Sequence, residues 1–496
     1  MNTSRQYWAE YASRLRPEGR AFIDGEYRAA VSQKTYANLN PSTGAVLNRV
    51  AQCDAADIDL AVRSARRSFE AGVWSHMAPA ERKRILLRLA ESMSTHREEL
   101  ALLESLDVGK PITNCFQGDL PSAIGCIQWY AEAIDKLYGE VAPTPHEFTT
   151  MVVREPLGVV AAVVPWNYPL SMAAWKLGPA LAAGNSVVLK PAEQSPSSAL
   201  RLAQLAVEAG VPPGVLNVVP GFGESAGSAL GLHMDVDAVG FTGSTAVGKL
   251  FLKYAGESNM KRVGLECGGK SPHIVLGDCD DLDAAARAVA AGIFSNAGQV
   301  CNAGSRLIVE RSIREALLER VVAIARDLRP GDPLDPQTRL GAIVSEEQLA
   351  TVMGYVRSGR EEGADLLVGG LRAREESGGY FLEATVFDGV DRRMRIAQEE
   401  IFGPVLAAIA VQSLDEALQV ANDSVYGLAA GIWTGSIRHA QRAAKALRAG
   451  VVWVNCFDKG NMSAPFGGFK QSGFGRDKSL HSFDKYTDWK AVWIAM

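Results

Sequence analysis

Gly158-Val159-Val160-Ala161-Ala162-Val163-Val164-Pro165-Trp166-Asn167-Tyr168-Pro169-Leu170 is the stretch whose reading decides the fold. An apolar run of strand length stops at a proline, and a helical pattern takes over across 170–183. The exchange then repeats, with short apolar strands at 186–190, 215–219, 237–242 and 262–266. Helices of about 10–14 residues lie between them, at 197–209, 225–232 and 246–255. Short apolar strands alternating with helices predict a parallel, doubly wound α/β sheet. Such sheets bind ligands outside the carboxyl ends of their strands. That places Pro165, Trp166 and Asn167, Lys190 and Glu193, the glycine-rich run 221–227, Gly243 and Ser244, and Glu266 around one crevice.

Beyond Glu266 a second alternating region reads as a helix at 281–296, a strand at 306–310 and a helix at 314–328. Further helices and strands follow to about Val454, which makes a second α/β unit. Before Gly158, residues 22–27 read as a small hairpin. Ile58, Ala61, Val62, Ala65 and Phe69 share one helical face. One long helical region is expected over 79–106, and another helix from Pro121 to about Leu137. Residues 149–155 read as an exposed strand, and the tail 486–493 alternates weakly.

With 496 residues, two or three domains are expected. A formal net charge of −5 offers no basic field for nucleic acid. The seven cysteines are scattered and contain no Cys-x-x-Cys pair, which argues against a disulfide framework and a metal cluster and for a reducing, cytoplasmic setting. Residues 1–20 lack the apolar core of a signal peptide, and no apolar run is long enough to span a bilayer.

Chemistry concentrates between Glu266-Cys267-Gly268-Gly269-Lys270 and Gly298-Gln299-Val300-Cys301-Asn302-Ala303-Gly304. The two glycines let a carboxylate sit on a tight turn, because glycine accepts backbone angles that other residues avoid. A cysteine among small and polar residues in a Gly-bounded loop can be exposed. A thiol nucleophile with a carboxylate base handles a carbonyl group: the thiolate adds, and the carboxylate activates a water. Read alone, the same residues also fit a packing cysteine and a surface glutamate. Gly221-x-Gly223-x-x-x-Gly227 is one residue longer than the common dinucleotide fingerprint. Gly243-Ser244-Thr245 starts a helix whose N–H groups could meet a phosphate.

These motifs, in this order, resemble the NAD(P)-dependent aldehyde dehydrogenase superfamily across roughly residues 19–493. The resemblance implies the aldehyde dehydrogenase fold: a Rossmann-like NAD-binding domain from 1–138 and 157–268, an α/β catalytic domain from 269–468, and a small β oligomerisation element from 139–156 and 484–496. It makes Cys301 the nucleophile, Glu266 the base for water and Asn167 an oxyanion donor, with Lys176 supporting the site electrostatically. It assigns NAD to Pro165, Trp166, Lys190, Glu193, Gly223, Phe241, Gly243, Ser244, Val247, Glu400 and Phe402. Lys190 and Glu193 would hold the adenosine ribose, and Glu193 would repel a 2′-phosphate, so NAD is expected over NADP. One departure is Ala246, where relatives often carry glutamate. A homodimer or dimer of dimers is implied, with no metal, nucleic acid or membrane partner.

For the aldehyde, the resemblance points to Asp119, Tyr168, Met172, Trp175, Val300, Asn302, Asp458 and Phe466, with Cys456 nearby. The runs 129–136 and 166–176 are similar to those of aminoaldehyde and bacterial γ-glutamyl-γ-aminobutyraldehyde dehydrogenases. Aromatic faces attract an ammonium group, and Asp119 or Asp458 could add a charge-assisted hydrogen bond. Gly118 stands where relatives often carry a second acid. The same rings would suit an aryl aldehyde such as indole-3-acetaldehyde. An acylating enzyme that hands its thioester to coenzyme A, and a catalytically silent binding or structural protein on the same fold, are the readings from other classes. Retention of both Glu266 and Cys301 counts against each.

Overall fold

The computed structural model describes residues 4–496. At its centre Val159–Val163 is buried throughout and pairs in parallel with Ser186–Lys190 on one side and Ala238–Thr242 on the other. The sheet continues outward to Leu216–Val218 on the first side and to Arg262–Glu266 on the second. Chain order therefore reverses between Val159–Val163 and Ala238–Thr242, and the crevice of a doubly wound sheet opens at that switch point. Asn167, Gly243 and Glu266 all follow strand ends there.

Two short antiparallel additions complete this sheet at eight strands. The hairpin Ala21–Ile23 and Glu26–Arg28 closes one edge. Gly473–Phe474 closes the other, pairing with Leu265 and Glu266. The second sheet has seven strands, in the order Asp365–Val368, Thr385–Asp388, Val405–Val411, Arg306–Glu310, Pro272–Val275, Ala429–Trp433 and Val451–Val454. All its pairings are parallel except the first. A third sheet joins Glu140–Ala142, Phe148–Pro156 and Thr487–Ala495, with Ala491 opposite Val152.

The helix Pro169–Ala183 has no polar face, because residues 169–182 are all buried. Small residues allow it to sit between neighbours: a Cβ on Gly178 would lie 2.6 Å from the Tyr130 ring. It ends at Gly184, whose φ of +104° is the left-handed cap that glycine adopts freely.

Some sequence expectations change, and two strands appear that the sequence reading does not contain. The helical region 79–106 is two helices, Pro79–Thr95 and Arg97–Val108, joined at His96, which leaves helical geometry. The expected helix 225–232 begins with a wider turn, Gly223–Gly227, before Ser228–Leu232. Pro272–Val275 and Gly473–Phe474 are strands with too few residues for an alternating signal. All seven cysteines are unpaired. Among the described residues, no helix is long and apolar enough to cross a membrane.

The buried Arg306 side chain ties the second sheet to its surroundings. It donates to the carbonyls of Lys270 (2.9 Å), Val420 (3.1 Å) and Ala421 (2.8 Å). Arg306→Leu strands three buried acceptors, each costing about 1–3 kcal/mol. Thermal unfolding should shift down by roughly 5–10 °C, measured by scanning calorimetry on both proteins.

Candidate active site

A cavity of about 1050 Å³ opens where the strand ends of the first sheet face the loop that carries Cys301. Cys301, Glu266 and Asn167 line it. So do all eleven expected cofactor residues and all eight expected substrate residues.

The Cys301 loop follows the helix Leu282–Phe294 and turns through three consecutive left-handed residues, Asn296 (φ 48°), Ala297 (φ 52°) and Gly298 (φ 72°). A Cβ on Gly298 would sit 2.1 Å from the Gly403 carbonyl oxygen. Asn296 and Ala297 hold an unfavourable conformation, which persists only where surrounding contacts over-determine it. Here Asn296 Nδ2 donates to the carbonyls of Asn167 (3.0 Å) and Gln299 (3.2 Å). The fully buried Gln299 side chain donates to Asn296 O (3.1 Å) and accepts from Val344 N (2.9 Å). Asn167 Nδ2 donates one hydrogen to Gln299 O at 2.8 Å. Its second N–H, and the backbone N–H of Cys301, have no acceptor among the described residues. Asn167 and Cys301 both line the cavity.

Burial, reinforced by the Glu400 and Glu266 carboxylates, pushes the Cys301 thiol up to about 12. Glu266 ends the strand Arg262–Glu266 and is buried, and neither carboxylate oxygen has a hydrogen-bond donor among the described residues. Burial and the Asp477 carboxylate raise it to about 8, against the pull of Lys485, Lys176 and Arg476. Such a group changes protonation near neutral pH, as a general base must.

The two glycines after Glu266 work differently from the sequence expectation. Neither has a positive φ. Their role is close approach: a Cβ on Gly268 would lie 1.8 Å from Glu400 Oε2, and one on Gly269 would lie 2.8 Å from the Cys301 carbonyl oxygen. Gly269 N donates to Glu400 Oε1 at 3.3 Å. Lys176 does not line the cavity and acts on it from behind the wall. Its ammonium is buried on Asp477, which Lys485 contacts from its other oxygen. Lys176 reaches Glu266 through the field of that triad.

The cofactor-side residues fit a dinucleotide. Ser244 caps the 13-residue helix Thr245–Glu257, accepting from Val247 N at 3.3 Å, and the first N–H groups of a helix lack intrahelical acceptors. A Cβ on Gly223 would meet nothing within 4 Å, so its backbone is open to a ligand. The buried Lys190 ammonium lies 3.7 Å from Glu193, which is one-third exposed. Trp166 and Phe402 meet edge to face at 5.2 Å.

On the substrate side, Asp119 lines the wall, but its carboxylate is already ion-paired with the buried Lys110. Lys110 in turn sits 3.5 Å over the centre of the Tyr168 ring. The expectation that Asp119 and Tyr168 are free to receive a substrate ammonium is therefore corrected: an internal lysine occupies both. Burial also raises neighbouring Glu104 to about 8. Trp175 and Phe466 pack at 5.2 Å, and Asn302 Nδ2 donates to Asp458 Oδ1 at 2.8 Å. Cys456 is absent from the wall and packs with Ala429, Trp453 and Phe457. His273, read as structural, is buried and accepts from Trp433 Nε1 at 3.0 Å.

Sequence reading missed Gln299, Asp477, Lys485, Lys110 and Lys478. Gln299 stands within the Cys301 motif but carries no role in that reading, whereas Asp477, Lys485 and Lys110 act through buried contacts that no local pattern marks. Lys478 lines the cavity wall 177 positions beyond Cys301, where no local pattern announces it.

A thiol, an isolated carboxylate and free N–H donors beside a dinucleotide crevice define a cysteine-dependent oxidoreductase. The chain belongs to the aldehyde dehydrogenase family, whose model matches residues 27–492. It is 54% identical to an aminoacetaldehyde dehydrogenase of Pseudomonas aeruginosa, covering 99% of this chain and 98% of that one. An indole-3-acetaldehyde dehydrogenase solved with NAD+ superposes with a TM-score of 0.99 at 56% identity, over 100% of both chains. A γ-glutamyl-γ-aminobutyraldehyde dehydrogenase from Burkholderia cenocepacia gives 0.98 at 55% identity, over 99% of both.

Glu266 generates a pH prediction. Burial raises its folded value to about 8, so the ionised form is lost as pH falls through that region. Hydrolysis of the acyl-enzyme should slow about tenfold per pH unit below about 8 and level off above it. Glu266→Gln should flatten that limb. Single-turnover acid release from pH 6 to 9.5 measures both.

Proposed function

We propose that this enzyme oxidises aldehydes bearing a distal nitrogen group to carboxylic acids with NAD, through a thioester on Cys301. The observation that carries the reaction is the placement of Cys301 in one cavity with a carboxylate, Glu266, that has no hydrogen-bond donor among the described residues. Such a carboxylate is free to take a proton from water.

Cys301 Sγ gives up its proton to water in the cavity, adds to the aldehyde carbon as a thiolate and forms a hemithioacetal. The developing oxyanion takes the free N–H of Asn167 and the Cys301 backbone N–H. Removing one such donor typically costs about 10²–10³ in rate. NAD, when bound, supplies the hydride acceptor. The acyl group stays on Sγ until Glu266 removes a proton from the water that attacks it, and the free acid leaves. Coenzyme A is not needed for this release. Lys176, through Asp477, sets the field in which Glu266 ionises.

Glu193 beside Lys190 supports NAD over NADP, since a carboxylate repels a 2′-phosphate. The names of the aminoacetaldehyde and γ-glutamyl-γ-aminobutyraldehyde relatives support the nitrogen-bearing substrate, as part of polyamine breakdown. The aryl reading rests on Trp175 and Phe466 and on the indole-3-acetaldehyde relative. An indole ring has no use for the charges of Asp458 and Lys478 on that wall. The division into an NAD-binding domain, a catalytic domain and an oligomerisation element follows the two large sheets and the small third one. Exposed Trp489, Trp493 and Ile494 on the third sheet support pairing with further copies, as a dimer or dimer of dimers. Seven free thiols support a cytoplasmic setting.

Two outcomes test this. Cys301→Ala should form no NADH burst with any aldehyde while still binding NAD by fluorescence titration. The wild type should use γ-glutamyl-γ-aminobutyraldehyde or 4-aminobutyraldehyde with higher kcat/KM than hexanal or phenylacetaldehyde; a preference for phenylacetaldehyde would establish the aryl reading instead.

A further inference from the structure

Lys478 lines the same cavity, and its ammonium has no hydrogen-bond or ion-pair partner among the described residues. Two aromatic faces hold it instead: Nζ lies 4.5 Å from the centre of the Trp175 ring and 5.5 Å from that of Phe466. Gly460 leaves room for it, since a Cβ there would sit 3.2 Å from Nζ. On the same cavity, Asp458 uses one oxygen on Asn302, the neighbour of Cys301, and its other oxygen has no donor among the described residues. Asp458 and Lys478 feel each other's charge without forming an ion pair. Both stand in the left-handed region, at φ 53° and 57°. Two non-glycine residues keep that unfavourable geometry and present one unpaired charge each to the same space. Strain of this kind clusters at ligand-binding positions.

We infer that Lys478 and Asp458 form a zwitterion clamp, with Lys478 taking the carboxylate and Asp458 the ammonium of an α-amino-acid group at the far end of the aldehyde. This rests on the nitrogen-bearing substrate class proposed above and narrows it. A bare ω-ammonium meets repulsion from Lys478, and the rings that would have caged it already carry an internal ammonium. A bare carboxylate meets repulsion from Asp458. An α-amino acid head, such as a γ-glutamyl amide carries, satisfies both residues at once. Lys110 and Asp119 neutralise each other and so make no demand on a ligand, while Lys459, next to Asp458, also lines the cavity and adds positive charge on the side of the substrate carboxylate.

The test compares kcat/KM for γ-glutamyl-γ-aminobutyraldehyde, 4-aminobutyraldehyde and hexanal in wild type, Lys478→Met, Lys478→Arg and Asp458→Asn. Charge-assisted hydrogen bonds of this kind are worth about tenfold or more in binding. Lys478→Met should lower the γ-glutamyl-to-hexanal ratio by about tenfold, through KM, and raise the 4-aminobutyraldehyde-to-hexanal ratio as repulsion is removed. Lys478→Arg should restore most of the first ratio, and Asp458→Asn should lower it. A γ-glutamyl-to-hexanal ratio unchanged in Lys478→Met overturns the clamp, while the substrate class survives if the wild type still prefers nitrogen-bearing aldehydes. A wild type that prefers hexanal to both overturns the substrate class and the clamp together. A measurement on the wild type alone adds to this: γ-glutamylbutylamine should inhibit hexanal oxidation competitively and more tightly than hexylamine, and equal inhibition by the two overturns the clamp.

Discussion

The site depends on how closely three segments approach at Gly268 and Gly269. Glu400 presses on the first glycine and the Cys301 carbonyl on the second, at distances no side chain would allow. This contact joins the end of the strand Arg262–Glu266 to the loops carrying the nucleophile and Glu400. One added methyl would separate the thiol from Glu266 or push Glu400 out of the crevice. The geometry of catalysis is thus set by backbone contact, and the side chains inherit it. Preorganised donors and bases are effective because they need no rearrangement as charge develops.

Around this contact the protein buries several charges, and three of them have a compensating arrangement. Asp477 receives Lys176 and Lys485. Asp119 receives Lys110. Arg306 is satisfied by three carbonyls. Lys270 is the contrast: its amine has no hydrogen-bond partner, and burial and Arg306 lower it to about 7. Buried ion pairs contribute little net stability, since desolvation offsets their attraction, but losing one partner is severe. Such pairs fix position. The Lys176–Asp477–Lys485 triad holds the tail segment against the cofactor sheet and sets the field at Glu266 at the same time.

Part of the backbone strain, five of the twelve non-glycine residues at positive φ, gathers at the same place. Asn296, Ala297, Phe402, Asp458 and Lys478 all adopt positive φ without being glycine, and all lie in or beside the cavity. Three of them shape the loops that meet at Gly268 and Gly298. The other two aim opposite charges at the cavity from a wall otherwise rich in aromatic rings. The catalytic end and the recognition end of the site are thus both built from residues in disfavoured conformations, stabilised by the rigid sheets on either side.

Local sequence determined the elements whose signal is local. Apolar runs and helix periodicity located the strands Ser186–Lys190, Arg262–Glu266 and Arg306–Glu310 and the helix Ser197–Ala209 to the residue; for Ser186–Lys190 the signal is clearest, because a strand buried throughout reads as a nearly unbroken apolar run. Motif spacing also brought Cys301, Glu266 and Asn167 to one place, since each follows the end of an element. Tertiary structure alone decided which charges are free. Asp119 and Asp458 look alike in sequence, yet Lys110 neutralises one and leaves the other open to a ligand. Gly268 and Gly269 looked like turn residues and are contact residues. The strand Gly473–Phe474 and the position of Lys478 depend on segments hundreds of residues away. Periodicity reports how a segment meets the core, whereas the pairing of charges and the closeness of backbones depend on which distant segment arrives opposite, and no local pattern encodes that.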